Sequence, residues 1–316
     1  MFCVDKLSVG YHKEEQTILL LNEVDVILKP GELICLLGSN GCGKSTLLKT
    51  LAGLHPPLNG SNESINSLHQ SNNLALVLTE KIVSTSATVW DLISTARYPH
   101  LNWRITFQEK DLQAIQFAIA RVGLNNIQDR FIHEISDGQL QLTLIARALA
   151  QETSFIFLDE PTAHLDLNNR MDVMLLLRSL AHQFGKTILV STHELDLALQ
   201  LADRLWVVYN QKIENGLPED LVLSGLLDQA FPRKGFDLKT GEMKYEPTKN
   251  IHIELKGEGY RYLWTKNALQ RTGYTITEFS PRFSIIISDD KWLIGDNSFT
   301  TLHSILHFIE QEIIRS

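Results

Sequence analysis

The stretch Gly38-Ser39-Asn40-Gly41-Cys42-Gly43-Lys44-Ser45-Thr46 constrains this 316-residue chain more than any other. An apolar run, Glu32 to Gly38, precedes it and reads as a buried parallel strand. A helical stretch, Ser45 to Ala52, follows and ends at Gly53 and Pro56-Pro57. The glycines let the backbone curl until successive N–H groups converge into an anion nest. The helix N-terminus adds its partial positive charge. The spacing is G-x-x-x-x-G-K-[ST], in which Lys44 reaches the β- and γ-phosphates of a nucleotide and the Ser45 hydroxyl ligates Mg²⁺. A turn of this kind needs a parallel sheet to carry it.

The rest of the chain supplies one. Phe2–Gly10 alternates apolar and polar residues like a strand, and Thr17–Leu28 repeats the pattern, closed by Pro30-Gly31. Leu74–Leu78, Phe155–Leu158, Thr187–Val190 and Arg204–Tyr209 are short apolar runs. Helical patterns separate them: Thr88–Ile127 with Thr88 or Thr106 as N-cap, Ser136–Ala150, Met171–Phe184 and Leu195–Ala202. Strands alternating with helices describe an α/β fold with a mainly parallel sheet. Past about Leu217 the character changes. Asp237–Asn250 is polar and turn-rich, and reads as a linker. Ile251–Ser316 then reads strand, helix (Tyr260–Gln270), strand (Tyr274–Phe279), strand pair (Phe283–Gly295) and helix (Thr301–Glu312), a small α+β module.

Phe155-Ile156-Phe157-Leu158-Asp159-Glu160 complements the glycine-rich turn. Four apolar residues bury the strand and two carboxylates emerge at its C-terminal end, where α/β sheets bind ligands. There Asp159 is placed to hold Mg²⁺ and Glu160 to polarise an attacking water.

Composition excludes several classes. The net charge of -8 argues against a general nucleic-acid binder, which needs a basic face. No stretch approaches the ~18–20 apolar residues of a membrane span, and the first residues lack a signal-peptide pattern. Three cysteines, Cys3, Cys35 and Cys42, without a Cys-x-x-Cys, fit a reducing compartment. Cys3 and Cys35 read as small buried hydrophobes.

Further motifs carry a family resemblance. Ile135-Ser136-Asp137-Gly138-Gln139-Leu140-Gln141 resembles the signature of the ATP-binding-cassette (ABC) ATPases, usually Leu-Ser-Gly-Gly-Gln. Pro161 to Asp166 resembles the D-loop, Ser191-Thr192-His193 the switch histidine, and Tyr11 the adenine-stacking aromatic. The motifs occur in the family's order over about Phe2 to Gly216. The resemblance implies a P-loop NTPase of the ABC ATPase type: mixed sheet core, antiparallel N-terminal β-subdomain, helical subdomain at about 84–150, and here a small C-terminal α+β extension. It implies an ATPase domain over 1–236, a linker over 237–250 and a module over 251–316. The resemblance makes Glu160 and His193 catalytic. Tyr11, Gly38 to Thr46, Ser136, Gly138 and Gln139 contact nucleotide, and Ser45, Glu80 and Asp159 contact metal. Glu80 stands where the family has its Q-loop glutamine, Asp137 where it has the first signature glycine, and Leu140 and Leu142 where basic residues are common.

The resemblance also implies the setting. ATP and Mg²⁺ are the expected cofactors, and a second copy of the chain completes two nucleotide sandwiches. Integral-membrane permease subunits and, through them, a substrate-binding protein are the expected partners; nucleic acid is not. The chain is expected on the cytoplasmic face of the inner membrane. Thr88 to His100, with Arg97-Tyr98-Pro99-His100, resembles the segment of importer cassettes for iron-siderophores, haem and cobalamin. That places Arg97 to His100 on the expected permease-docking surface. The alternative is a soluble cassette ATPase acting on a partner such as a cluster-assembly scaffold. In the C-terminal module, Trp264 and Trp292 suggest an exposed sheet edge. His303 and His307 share a helix face but lack a third metal ligand.

Overall fold

The computed structural model describes residues 2–13, 16–60, 73–78, 86–101, 106–232, 236–237, 242–243, 247–288 and 291–315. It divides into two compact units, Met1–Phe231 and Pro232–Ser316. Glu80 lies outside the described residues.

In the first unit, β1 (Phe2–Lys13) pairs antiparallel with β2 (Gln16–Leu28). Val24, Val26 and Leu28 alternate inward along β2, as a strand with one covered face requires. β1 runs three residues past the expected Gly10. At that glycine the strands crowd so closely that a Cβ would stand 2.1 Å from the Ile18 carbonyl oxygen.

The phosphate-turn strand β3 (Leu33–Leu37) lies inside a six-stranded sheet with β4 (Leu74–Val77), β5 (Phe155–Asp159), β6 (Thr187–Thr192), β7 (Arg204–Tyr209) and β8 (Lys212–Gly216). The order is β4-β5-β6-β3-β7-β8, parallel except for β8. Every residue of β3, β5 and β6 is buried, which is why these strands read as unbroken apolar runs. β6 extends two residues beyond the expected Val190, so Ser191 and Thr192 belong to the strand.

The helical part holds Val89–Ser94, a 3₁₀ turn Thr95–His100, Glu109–Val122 and Asp137–Ala150. Thr88 is an N-cap, its hydroxyl accepting from Asp91 N at 3.1 Å. Thr106 is not. The second helix is capped at Gln108, whose N–H donates to the Asp111 carboxylate at 3.0 Å. The helix Leu167–Phe184 begins four residues before the expected Met171 because Asp166 caps it, accepting from Asn169 N at 2.9 Å.

Arg97 corrects the docking-surface expectation. It is 2% exposed. Its Nε donates to Asp111 Oδ1 at 3.0 Å, and its Nη1 to the Ala150 carbonyl at 3.0 Å and to Glu152 at 2.6 Å. The guanidinium is satisfied inward; Tyr98, Pro99 and His100 alone keep the run's exposed face.

The second unit opens with a short antiparallel pair, β9 (Phe236–Asp237) with β10 (Glu242–Met243), which begins at the last residue expected in the ATPase domain and runs into the stretch expected as linker. Its main sheet holds β11 (His252–Lys256), β12 (Thr275–Ile276), β13 (Phe283–Ile287), β14 (Trp292–Ile294) and β15 (Asn297–Phe299), in the order β12-β11-β13-β14-β15. Helices Gly259–Arg271 and Leu302–Arg315 pack on it around a separate core that includes Ile253, Leu269, Tyr274, Ile285 and Ile309. The two tryptophans do not share an exposed edge. Trp292 is buried on β14, its indole N–H donating to Thr265 Oγ1 at 2.8 Å, while Trp264 sits on a helix, 64% exposed. His303 and His307 stack with ring centroids 6.4 Å apart. Among the described residues no group of three or more His, Cys, Asp or Glu is disposed to hold a metal ion.

Cys35 is buried in β3, where burial and then the charge of Asp203 push its thiol up to about 12. Cys3 is only half-buried.

Candidate functional site

β3 delivers the chain into the turn Gly38–Gly43, and the helix Lys44–Leu51 leaves it. Gly41 and Gly43 have φ of 78° and 105°, left-handed values that side chains other than glycine rarely adopt. Cys42 turns inward against Gly38, where a Cβ would lie 2.5 Å from its sulfur. Its side chain packs against the core, and burial raises its thiol pKa against the lowering charge of Lys44. Lys44 is 6% exposed, with Nζ donating to the carbonyls of Gly38 at 2.9 Å and Ser39 at 3.3 Å. No carboxylate pairs with it among the described residues. A buried ammonium set among carbonyls and backbone N–H groups is matched to an anion.

A cavity of about 490 Å³ opens over this turn. Asn40, Gly41, Gly43, Lys44, Ser45 and Thr46 form its floor, Tyr11 and Leu20 reach it from β1 and β2, and Glu160 closes one side. A floor of backbone N–H groups and one ammonium beneath an aromatic ring and a leucine suits a nucleotide.

β5 places the two acids. Asp159 is 5% exposed, and its Oδ1 accepts a hydrogen bond from the Ser191 hydroxyl across the β5–β6 register. Glu160 takes a φ of 46°, a left-handed conformation that costs about 1–3 kcal/mol outside glycine. Its N–H donates to the Ser191 carbonyl at 3.0 Å, which holds that strained turn. The turn brings the Glu160 carboxylate into the cavity wall, 3.7 Å from His193 Nδ1. Ser45 and Asp159 offer hydroxyl and carboxylate oxygens, a donor set suited to a hard cation such as Mg²⁺.

The signature residues form a second cluster. Ser136 caps the helix Asp137–Ala150, its Oγ accepting from Gln139 N at 3.3 Å while Gln139 Oε1 accepts from Ser136 N at 3.1 Å. A Cβ on Gly138 would meet Asn169 Nδ2 at 3.2 Å, and that amide donates to Asp166 Oδ2 at 2.8 Å. Ser136, Gly138 and Gln139 do not line the cavity over Lys44. The structure thus groups Tyr11, Asn40, Gly41, Gly43, Lys44, Ser45, Thr46 and Glu160 around one cavity, which Gly38, Ser39 and Cys42 do not line, with Asp159 and His193 beside it, and Ser136, Gly138, Gln139 and Asp166 in another place.

Leu20 and Asn169 escape a reading by motif, and Ser191, read only with the switch histidine, is also the partner of Asp159. Ser191 was detectable as the strand-end residue opposite Asp159 once β6 is drawn two residues longer. Leu20 and Asn169 carry no sequence signal of their own.

With fold and site in view, the chain belongs to the ABC transporter family. The family model for ABC transporters matches residues 21–163, and that for the iron ABC transporter C-terminal domain matches residues 250–310. The chain is an ATP-binding, ATP-hydrolysing cassette subunit with a C-terminal extension. It is 36% identical to the achromobactin transport ATP-binding protein of Dickeya dadantii, over 74% of this chain and 86% of that one. It is 32% identical to an uncharacterized ABC transporter ATP-binding protein of Methanocaldococcus jannaschii, over 80% of this chain and 90% of that one. Among solved structures, one described as an inward-facing metal-chelate type ABC transporter superposes with a TM-score of 0.65 at 29% identity, covering 73% of this chain and 88% of that one. No helix among the described residues is long and apolar enough to cross a membrane.

Proposed function

We propose that this chain energises an importer of iron-siderophore or a related metal chelate such as haem or cobalamin. The observation that carries the reading is the nucleotide cavity over Lys44 and Glu160 in a chain whose residues 250–310 match the iron ABC transporter C-terminal domain. Relatives named for achromobactin transport and petrobactin import support the cargo class.

In this reading residues 1–236 form the ATPase, 237–250 link it to the module, and 251–316 are the extension. Tyr11 stacks on the base, the turn Gly38–Thr46 cradles the phosphates, and Lys44 neutralises them. Ser45 and Asp159 would hold Mg²⁺, which supplies charge neutralisation on the phosphates when bound. Glu160 accepts a proton from the attacking water. His193 donates to the γ-phosphate. The Ser136–Gly138 helix start, a separate anion-binding end, serves the nucleotide of a second copy, so two chains sandwich two ATP molecules. The dimer works on the cytoplasmic face of the inner membrane, against permease subunits supplied by a binding protein.

Uptake of radiolabelled iron-siderophore tests the reading, in cells lacking the chromosomal copy and carrying either the wild-type chain or Glu160→Gln. Uptake with wild type and none with the variant is the expected result. Equal uptake by both would overturn the role in import.

A further inference from the structure

One cation ties together two loops that flank the catalytic groups. Arg170 lies in the first turn of the helix Leu167–Phe184. Its Nε donates to the Leu165 carbonyl at 2.6 Å, just ahead of Asp166. Its Nη1 stands 3.1 Å from Glu194 Oε1. Glu194 directly follows His193, and its side chain is 11% exposed. Both of its carboxylate oxygens are sealed from solvent and accept no hydrogen bond among the described residues. A carboxylate so placed depends on its cation, and Arg170 is the partner it has among the described residues. The Glu194 N–H is fixed as well, donating to Thr192 Oγ1 at 3.0 Å.

We propose that Arg170 is a positioning residue for ATP hydrolysis. Through Glu194 it sets where the His193 imidazole stands relative to the Leu165–Asp166 loop, and therefore relative to Glu160, 3.7 Å from that imidazole. The inference rests on the roles of Glu160 and His193 proposed above. The guanidinium suits the task because its planar fork addresses a carbonyl and a carboxylate at once, which the single ammonium of lysine does not reproduce. The same turn carries Asn169, whose amide donates to Asp166 and lies against Gly138. A shift of the Leu165–Asp166 loop, wherever a nucleotide or partner chain drives it, is thereby passed to the switch histidine as a displacement of Glu194.

The test compares the full-length chain with Arg170→Met, Arg170→Lys, Glu194→Leu and the double variant Arg170→Met/Glu194→Leu. Steady-state kcat at saturating Mg-ATP, ATP affinity by calorimetry and Tm are read together. Arg170→Met is expected to lower kcat by about 10- to 100-fold, the scale on which a misplaced catalytic group acts, with ATP affinity unchanged and Tm reduced. The double variant removes the unpaired carboxylate, so Tm recovers while kcat stays low. Arg170→Lys recovers Tm with little of kcat. Recovery of kcat together with Tm in the double variant would show a purely structural pair and overturn the proposal. So would a wild-type kcat in Arg170→Met. His193→Ala is measured alongside; if it hydrolyses ATP at the wild-type rate, the site reading itself fails and the proposal with it.

Discussion

The Arg97 guanidinium lies 2.9 Å from the Asp111 carboxylate, with the two side chains 3% and 1% exposed. The pair joins the 3₁₀ turn Thr95–His100 to the helix Glu109–Val122, and the Ala150 carbonyl adds a third element. Breaking a buried pair on one side leaves the other charge without compensation, at a cost of about 3–5 kcal/mol. Arg97→Ala is therefore expected to lower unfolding stability by that order, measured by urea titration. Tyr98→Ala, on the exposed side of the same turn, should leave the titration unchanged. An Arg97→Ala curve that overlays wild type would contradict the burial.

The same pair predicts an acid sensitivity. Burial works against ionisation of Asp111, yet hydrogen bonds from the Gln108 N–H and Arg97, with the Arg97 charge, hold its carboxyl below the ordinary value of 3.8. A group with a depressed folded pKa contributes stability that is present above the unfolded value and lost as pH falls through the folded one. Stability should thus fall on acidification below 3.8. Asp111→Asn should be less stable at neutral pH and show a shallower loss through that window. Urea midpoints taken from pH 6 downward decide it; parallel slopes would mean that Asp111 does not contribute.

These contacts explain which parts of the molecule were legible in the sequence. The turn Gly38–Thr46 is local: its glycines, lysine and hydroxyls sit side by side, and the strand and helix around it are marked by apolar runs. Asp159 and Glu160, at the end of β5, were legible for the same reason. Arg97 was misread because its partners, Asp111 and Glu152, lie 14 and 55 residues away, and a buried ion pair leaves no periodic trace. The tryptophans are a similar case: the pattern puts Trp264 on a helix and Trp292 on a strand, but it does not tell that Trp292 faces the module's core while Trp264 faces solvent. The short strand β15 and the cap at Gln108 depend on turn geometry and a single carboxylate, both below the resolution of pattern.

Lys44 and Glu160 line one cavity but should fail differently. Lys44 is the buried cation among the phosphate-turn carbonyls, so Lys44→Ala should weaken ATP binding itself. Glu160 closes the wall beside His193, so Glu160→Gln should keep ATP affinity and lose about 10²–10⁴-fold in turnover, the range for a general base. Calorimetry and single-turnover hydrolysis on both variants separate the effects. Unchanged affinity in the first, or unchanged turnover in the second, would exchange or cancel the roles.

The separation of Gly138 from the Lys44 cavity leads to the last prediction. If the helix start at Ser136–Gly138 serves the nucleotide of a second copy, each site draws Lys44 from one chain and Gly138 from the other. Gly138→Asp places a carboxylate at an anion-binding helix start and drives its Cβ toward the Asn169 amide, 3.2 Å away. Alone, it should abolish hydrolysis, as should Lys44→Ala. Mixed together, the two variants form heterodimers in which one site collects both defects and the other has neither. Hydrolysis in the mixture should therefore rise well above that of either parent, and rise with protein concentration as dimers form. Sites complete within one chain would give the average of the parents at every mixing ratio. Measuring ATPase rate across mixing ratios at fixed total protein separates the two arrangements, because only a shared site gives a maximum at equal proportions.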